Sequence, residues 1–265
     1  MSAPPTPLPL TAVLITYNEA DRVGAVLEAV VPLCTATLVI DSGSTDGTQA
    51  LCERLGAQVQ YHPFESYGLQ KQYAVAQAQT DWVLLLDADE VPDGRLLAAL
   101  PALFAAGPPP LGGYALQRSL VFLGRVFRHG RESRQPQYRL FDRRRAQVTA
   151  AALHDAVVVD GPTGTLPGRL LHYSYRSLSD YLTKFNKYTS LTAEELRAQG
   201  KRRSRAYTVL SWPLYFVKQY LIYGNWRNGY PGLVWSLLSA SYPVVKYWKI
   251  YEADLRARAP KPGQQ

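Results

Sequence analysis

The fold is constrained most strongly by an alternation of short apolar runs and amphipathic stretches along residues 10–91. Four runs are rich in apolar and β-branched side chains and predict buried strands, namely residues 10–16, 37–40, 58–61 and 82–86. After the first run, Val23, Val26 and Leu27 recur at the helical period. Asn18 is predicted to cap that helix. Strands that alternate with helices predict an α/β fold, with helices on both faces of a mostly parallel sheet.

The pattern changes after a proline-rich loop at residues 107–110. Residues 114–159 predict short strands and turns, in a mixed or antiparallel extension of the sheet. Ser177 and Asp180 have the spacing of a capping box and predict the start of a further helix.

Polar side chains follow three of the predicted strands where those strands end. The segment 16–19 closes the first strand, Asp41 follows the second, and residues 87–89 follow the fourth. Ligands of open α/β sheets bind at the carboxyl ends of the strands. We therefore expect one binding site along this edge of the sheet.

Asp87 and Asp89 lie one residue apart, and two such carboxylates are costly unless a cation or a hydrogen-bond donor balances them. Mg²⁺ or Mn²⁺ prefers hard oxygen ligands of this kind, and the ion can stabilise charge on a departing diphosphate. The alternative is an acidic, solvated strand end, because an Asp-x-Asp pair alone is a weak signal.

The other polar strand ends suit a nucleotide. A buried carboxylate at Asp41 can accept hydrogen bonds from a base N–H or from a ribose hydroxyl. Tyr17 is placed to stack on a base, and Glu19 to hydrogen bond to it. For Asp46, holding its loop or capping the next helix is favoured over ligand binding.

The order of these motifs is far more specific than any one of them. Thr-Tyr-Asn-Glu at 16–19, Asp-Ser-Gly-Ser-Thr-Asp-Gly-Thr at 41–48 and Asp-Ala-Asp-Glu at 87–90 together resemble the family 2 glycosyltransferases of the GT-A fold. Residues 68–74 and 138–144 support the likeness. Within that family the chain looks most like the small lipopolysaccharide-core β-glucosyltransferase type.

The resemblance implies a nucleotide-diphosphate sugar donor, usually a UDP-sugar, and inversion at the anomeric carbon. It also implies that Thr16, Glu19 and Asp41 line the nucleotide pocket and that Asp89 is the principal metal ligand. Lys71 is a candidate phosphate contact on a helix whose start is expected to face the donor, although the alternative of a solvated lysine is favoured. Arg139 suits a bidentate grip on a phosphate, with an ion pair to an acidic neighbour as the alternative.

Inversion requires a general base for the acceptor hydroxyl, opposite the leaving diphosphate. Asp155 stands where the resembled subgroup usually carries the Glu of Val-His-Glu, and we predict it as the base. Its alternative is a strand-end carboxylate paired with an arginine. Glu90 competes for the role, although its adjacency to the metal site is expected to keep its pKa low. His154 and His172 are candidates for contact with the diphosphate or metal, although structural histidines are more common.

The carboxyl-terminal part has two aromatic runs, residues 206–223 and 233–251. Each is near the ~20 residues that span a bilayer, yet each contains polar residues and a proline. Scattered Tyr and Trp are typical of a membrane–water interface, and we expect both helices to lie on the membrane. Packing on the catalytic domain is the alternative. Arginines within 118–145 and the run 201–205 favour an anionic membrane surface and a lipid-linked or other glycan acceptor.

These patterns divide the chain into a disordered tail (1–9), a GT-A catalytic domain (10–200), a basic linker with interfacial helices (201–256) and a second disordered tail (257–265). The first tail lacks the features of a signal peptide, so we expect a cytoplasmic protein attached peripherally to the inner face of the membrane. Cys34 and Cys52 are expected to be reduced core thiols.

The net charge of +8 also raises nucleic-acid binding. No recognised binding motif is present, and the basic runs border apolar segments, so we expect no nucleic-acid partner. A dehydrogenase would require Gly-x-Gly-x-x-Gly after the first strand, where the chain has Thr-Tyr-Asn-Glu-Ala. Two alternative hypotheses remain beside the inverting glycosyltransferase. One is transfer of the sugar to a polyprenyl phosphate, and the other is a non-catalytic protein that binds nucleic acid or an anionic surface.

Overall fold

The computed structural model describes residues 6–150 and 156–258, which form two compact units. The first unit comprises the chain up to Leu120 together with Glu132–Tyr173. The second comprises Val121–Arg131 and the chain from Ser174 onward.

The amino-terminal half of the first unit alternates strands and helices, as predicted. Its elements are β1 Leu8–Thr16, α1 Val23–Val30, β2 Cys34–Asp41, α2 Thr48–Arg54, β3 Gln58–Tyr61, α3 Tyr67–Ala76 and β4 Trp82–Asp87. The prediction that Asn18 caps α1 is wrong, because α1 begins after Arg22. Asn18 instead has a left-handed backbone, and its side chain accepts a hydrogen bond from the backbone N–H of Thr45. This residue therefore ties the loop after β1 to the loop after β2.

The chain then forms mostly short strands, which confirms the prediction for residues 114–159. The elements are β5 Glu90–Pro92, α4 Gly94–Phe104, β6 Gly113–Phe122, β7 Arg125–Val126, β8 Gln135–Asp142, β9 Ala146–Val148, β10 Val157–Val159 and β11 Thr163–His172. β7 pairs with the last two residues of β6 in the second unit.

In the described part of the chain nine strands form one sheet, with eight in the order β3-β2-β1-β4-β8-β6-β11-β5 and β7 paired with β6 beside them. β3, β2, β1 and β4 are parallel, and β8 is antiparallel to β4. The register places Thr16 opposite Asp41 and Ile15 opposite Asp87, so the predicted strand ends share one edge. The antiparallel pairing of β5 with β11 places Glu90 opposite His172. The predicted α/β architecture, a mostly parallel sheet with helices, is confirmed.

The sheet is covered on both faces, which explains why its central strands are continuous apolar runs. Leu14 and Leu86 pack into one core, and Leu85 packs into the other, since neighbouring side chains on a strand alternate. Cys34 and Cys52 are buried free thiols, as predicted, and burial raises the pKa of Cys34 to about 12.

The second unit is mainly helical. It contains α5 Leu178–Ala198, α6 Arg205–Val217, a π-helical turn Lys218–Ile222, a 3-10 turn Asn225–Asn228 and α7 Tyr230–Arg258. Ser177 caps α5 as predicted, because its Oγ accepts a hydrogen bond from the backbone N–H of Asp180. Trp235 of α7 packs edge-on against Phe122 and Phe127 in an aromatic core. Within residues 6–150 and 156–258, no helix has both the length and the apolar character needed to cross a membrane.

Candidate active site

Asp41 lies at the end of β2 with a fully buried side chain. Its Oδ1 accepts hydrogen bonds from the backbone N–H groups of Gly43 and Ser44 and from Nε2 of Gln49, at 2.9, 2.7 and 2.6 Å. Its Oδ2 accepts from Thr16 Oγ1 at 2.8 Å and from Ser44 Oγ at 2.5 Å. Burial opposes ionisation, but the hydrogen bonds outweigh it and hold the pKa of Asp41 below its usual value. The predicted residues Thr16 and Asp41 are therefore in direct contact, and the carboxylate between them is ionised.

The loop beside this pocket is held by Asp46. Its Oδ1 accepts from the backbone N–H of Thr48 at 3.0 Å, and its Oδ2 accepts from that of Ala20 at 3.1 Å. The favoured prediction for Asp46, a role in holding the loop, is confirmed. Tyr17 presents a ring that is 60% exposed at the end of β1.

Arg22 links two of the predicted site residues and was not singled out from the sequence. Its Nε donates to Oε2 of Glu19 at 2.7 Å, and its Nη1 lies 3.6 Å from Oδ2 of Asp89. Nη1 also donates to the backbone carbonyl of Tyr173 at 3.1 Å. Glu19 and Asp89, seventy positions apart in the sequence, are thus neighbours of one guanidinium group.

Asp87, at the end of β4, is held between two cations. Its Oδ1 lies 2.8 Å from Nζ of Lys71, and its Oδ2 accepts from Nη2 of Arg139 at 2.6 Å. Lys71 and Arg139 are both buried. The solvated alternative for Lys71 is therefore wrong, and the ion-pair alternative for Arg139 is the one observed. Removal from water opposes ionisation, but Arg139 and Lys71 hold the pKa of Asp87 well below its usual range.

Glu90 is fully buried beside this ion cluster. Its Oε1 accepts from Nη2 of Arg139 at 2.7 Å and lies 3.5 Å from Nη1 of Arg118, and its Oε2 accepts from the backbone N–H of Asp87 at 3.3 Å. Burial raises the pKa of Glu90, and the opposing effect of Arg139 does not cancel it. Desolvation here exceeds the attraction of the cations. The expectation of a low pKa rests on an adjacent metal ion and stays a prediction. The Nε atoms of Arg118 and Arg139 are buried with no hydrogen-bond partner among the described residues.

Asp89 and His172 are the residues best placed to hold a divalent cation. Oδ2 of Asp89 lies 3.5 Å from Nε2 of His172, and both side chains are about one-fifth exposed. Burial lowers the pKa of His172 to about 4, so the imidazole is neutral at pH 7, as a metal ligand must be. Adjacent ligands of an octahedral Mg²⁺ with bonds of ~2.1 Å are ~3 Å apart, so this pair fits with a small adjustment. In the described part of the chain, no group of three or more His, Cys, Asp or Glu side chains could hold a metal ion. Diphosphate oxygens and water would therefore complete the coordination shell of the cation.

Gln70 belongs to the site and was missed from the sequence. Its Nε2 donates to Ser42 Oγ at 3.0 Å and to the carbonyl of His62 at 3.2 Å, and its Oε1 lies 2.9 Å from Nδ1 of His62. Gln70 and Lys71 lie on the buried side of α3, close to the loop after Asp41. The sequence did contain one indication of this buried side of the helix, because the small residues Gly68 and Ala74 lie at helical spacing from Lys71.

The predicted base, Asp155, and its neighbour His154 lie outside the described residues. Their roles therefore stay predictions.

Comparison with known proteins supports the functional prediction. Residues 11–158 match the model of the family described as "Glycosyl transferase family 2". The chain is 32% identical to a lipopolysaccharide core biosynthesis glycosyltransferase, LpsC, of Rhizobium meliloti, over 95% of each chain. It is 28% identical to an uncharacterized glycosyltransferase of Rickettsia felis, over 94% of this chain and 92% of the relative.

Among solved structures, the chain resembles glucosyl-3-phosphoglycerate synthase from Mycobacterium tuberculosis, crystallised with Mn²⁺, UDP and phosphoglyceric acid. The identity is 19% and the TM-score 0.45, covering 74% of this chain and 80% of that one.

Proposed function

The chain belongs to glycosyl transferase family 2, and on that premise we propose that it transfers a sugar from a UDP-sugar, with inversion, to a lipid-linked or cell-envelope glycan. It is a glycosyltransferase that acts on a nucleotide-sugar. The observation that carries the proposal is that Thr16, Asp41 and Asp87 meet at one sheet edge. The candidate cation ligands Asp89 and His172 lie together as a close pair.

In the proposal, the nucleoside binds at the ends of β1 and β2. The carboxylate of Asp41 is ionised, and its oxygens hold the hydroxyl of Thr16 and the backbone N–H of Ser44 in place. A base N–H or a ribose hydroxyl would bind to Asp41 by displacing one of these donors. The exposed ring of Tyr17 stacks on the base. Glu19 contributes from the same strand end and is kept in place by Arg22.

The divalent cation, Mg²⁺ or Mn²⁺, is assigned to Asp89 with His172. When bound, such an ion stabilises the charge that develops on the departing diphosphate. Asp87 was also predicted as a ligand, but both of its oxygens already face cations. In the proposal Asp87 instead positions Lys71 and Arg139 toward the phosphates.

Asp155 remains the proposed base for the acceptor hydroxyl. Its competitor Glu90 is fully buried, and both of its oxygens are engaged by Arg139, Arg118 and the backbone of Asp87. A carboxylate that catalyses proton transfer must reach the acceptor within about 3 Å. Glu90 lacks the exposure for that contact.

The acceptor is proposed to be a lipopolysaccharide-core or other lipid-linked glycan at the cytoplasmic face of the membrane. Similarity to the Rhizobium relative, named for lipopolysaccharide core biosynthesis, supports this choice. A polyprenyl phosphate is the alternative. Product analysis distinguishes them, because the glycosyl phosphate of the alternative releases the free sugar on mild acid treatment, whereas a glycosidic bond to a glycan is retained. The predicted limits, residues 10–200 for catalysis and 201–256 for membrane attachment, are part of the proposal.

The test is calorimetric titration of UDP and UDP-sugars with and without Mn²⁺. Asp89→Ala should remove the Mn²⁺-dependent part of UDP affinity and all transfer, while metal-free UDP binding persists. Asp41→Asn should weaken UDP binding in both conditions. Asp160→Asn, a change at an exposed acid outside the site, is the matched control and should behave as wild type. Undiminished Mn²⁺-dependent binding in Asp89→Ala would refute the metal assignment, and absence of UDP-sugar binding by the wild type would refute the proposed donor.

A further inference from the structure

Helix α6 and the turn after it direct their apolar side chains to solvent. We define the outer apolar surface as a set of exposed aliphatic residues that recur at helical spacing and continue into the π-helical turn: Val209, Leu210, Leu214, Val217, Leu221 and Ile222. Leu214 is 70% exposed and Ile222 is 72% exposed. Apolar residues scattered singly over a surface need no explanation, but a contiguous stripe of them marks an interaction site.

The opposite side of α6 combines small polar residues with half-buried aromatic ones. Thr208 and Ser211 are the buried residues of the helix, and α6 packs against α7. Nε1 of Trp212 donates to Oγ of Ser241 on α7 at 3.0 Å, and Thr208 Oγ1 donates to the backbone carbonyl of Arg205. An amphipathic helix of a protein in water normally buries its apolar side. In α6 the order is reversed, so the fold itself leaves the aliphatic side uncovered.

Aromatic side chains continue the surface beyond the π-helical turn. Trp226 is 50% exposed, and Tyr230 at the start of α7 is also exposed. Trp and Tyr combine an apolar ring with a polar edge, which suits them to the level of lipid headgroups.

The segment that carries this surface is basic. Residues 201–251 contain eight Lys and Arg and no Asp or Glu. Several of these cations lie over aromatic rings: Arg227 over Trp226 at 5.2 Å and Lys218 over Tyr223 at 5.6 Å. Cations beside an exposed apolar helix attract anionic lipid headgroups.

We infer that the outer apolar surface docks the second unit on an anionic lipid bilayer, with the aliphatic side chains in the acyl region and the surrounding cations at the headgroups. A second copy of this chain is the rival occupant. It would bring two basic segments toward each other, and like charges that meet at an interface oppose association. The inference rests on this surface and on no residue assigned to the donor site.

Vesicle flotation of the full-length protein tests the inference, with phosphatidylcholine vesicles that contain or lack phosphatidylglycerol. Wild type should float with the anionic vesicles, and high salt should weaken the binding. Leu214→Asp with Leu221→Asp should weaken it by more than about tenfold, because each change places a charge in the apolar layer. Both side chains are already exposed, so the fold should be retained, as circular dichroism would verify. Leu191→Asp, at an exposed position on α5 near acidic residues, is the matched control.

The charge component is measured separately. Lys218→Gln with Arg227→Gln should weaken binding to anionic vesicles by about 25-fold, since each cation near such a surface contributes about fivefold. Failure of wild type to float, or equal flotation of the Leu214→Asp, Leu221→Asp protein, would overturn the inference. So would a wild-type dimer in sedimentation velocity that these two changes dissociate, because the surface would then be a protein interface. UDP binding by the same variants should equal that of wild type, so a failed donor assignment is recognised independently.

Discussion

Arg139 offers the sharpest test of the buried ion cluster. Arg139→Met keeps the volume of the side chain but removes the guanidinium that donates to Asp87 at 2.6 Å and to Glu90 at 2.7 Å. Removing one partner of a buried pair typically costs about 3–5 kcal/mol, because the remaining charge is left in a dry environment. Lys71 still contacts Asp87, and Arg118 still lies 3.5 Å from Glu90. We therefore expect a loss of about 3 kcal/mol in the free energy of unfolding.

The loss should depend on pH. Glu90 already has a raised pKa, and removal of its nearest cation raises that pKa further. A carboxyl group whose pKa is higher in the folded state retains a proton that the unfolded chain has released. Stability therefore falls as the pH rises from about 4.3, the unfolded value, through the folded pKa. Asp87 has the opposite shift, and its contribution is lost only below about pH 4. The deficit of Arg139→Met should thus be larger at pH 8 than at pH 5.

Urea titrations of wild type and variant at both pH values measure the effect. A loss of about 3 kcal/mol moves the midpoint by about 1–3 M for the slopes usual in urea, which are about 1–3 kcal/mol/M. Arg144→Met is the control, because the side chain of Arg144 is 63% exposed where it pairs with Asp81 and Asp142. An exposed ion pair contributes no more than about 1 kcal/mol to the free energy of unfolding. A loss of that size or smaller in Arg139→Met would refute the claim that the cluster is shielded from water and that its charges depend on one another.

Three further changes test other parts of the site. His172→Ala should weaken Mn²⁺-dependent UDP binding by about tenfold or more and spare metal-free binding in calorimetry. Gly68→Ala should lower the unfolding free energy by about 1–3 kcal/mol, because the new Cβ would lie 2.4 Å from the carbonyl oxygen of Thr149; Gly94→Ala, which meets no atom within 4 Å, is its control in urea titration. Asp155→Asn should lower steady-state turnover at unchanged UDP affinity, and a large loss of that affinity would instead assign Asp155 to the donor site.

The strand ends of the site could be predicted from the sequence because they follow local rules. An apolar run that stops at Thr16, Asp41 or Asp87 locates the end of a parallel strand, and parallel strands align their carboxyl ends. The structure bears this out through the register of β1 with β2 and β4. No long-range information was needed.

The partners of these residues could not be predicted, because they depend on pairings between distant segments. His172 comes close to Asp89 through the antiparallel pairing of β11 with β5, and Arg139 reaches Asp87 from β8, an antiparallel neighbour of β4. The register between two strands that are distant in the sequence cannot be predicted from the local sequence of either strand. The direction of α6 was equally hidden, because an apolar run has the same sequence whether its aliphatic side packs inside or remains exposed like Leu214.

The two aspartates of the Asp-Ala-Asp motif have separate electrostatic roles that their spacing does not reveal. Asp87 and Glu90 belong to one ion cluster. Their two carboxylates face three cations, which are Lys71, Arg118 and Arg139. Even with both acids ionised, that cluster carries one net positive charge, and a neutral Glu90 would increase it. Positive charge held in place before reaction stabilises a leaving group that gains negative charge, at no cost in reorganisation. Asp89 has a neutral His172 and a more distant Arg22, which leaves it the carboxylate more available to a cation. A metal at Asp89 and the cationic cluster at Asp87 would then both act on the diphosphate, so loss of either should impair transfer even where UDP still binds.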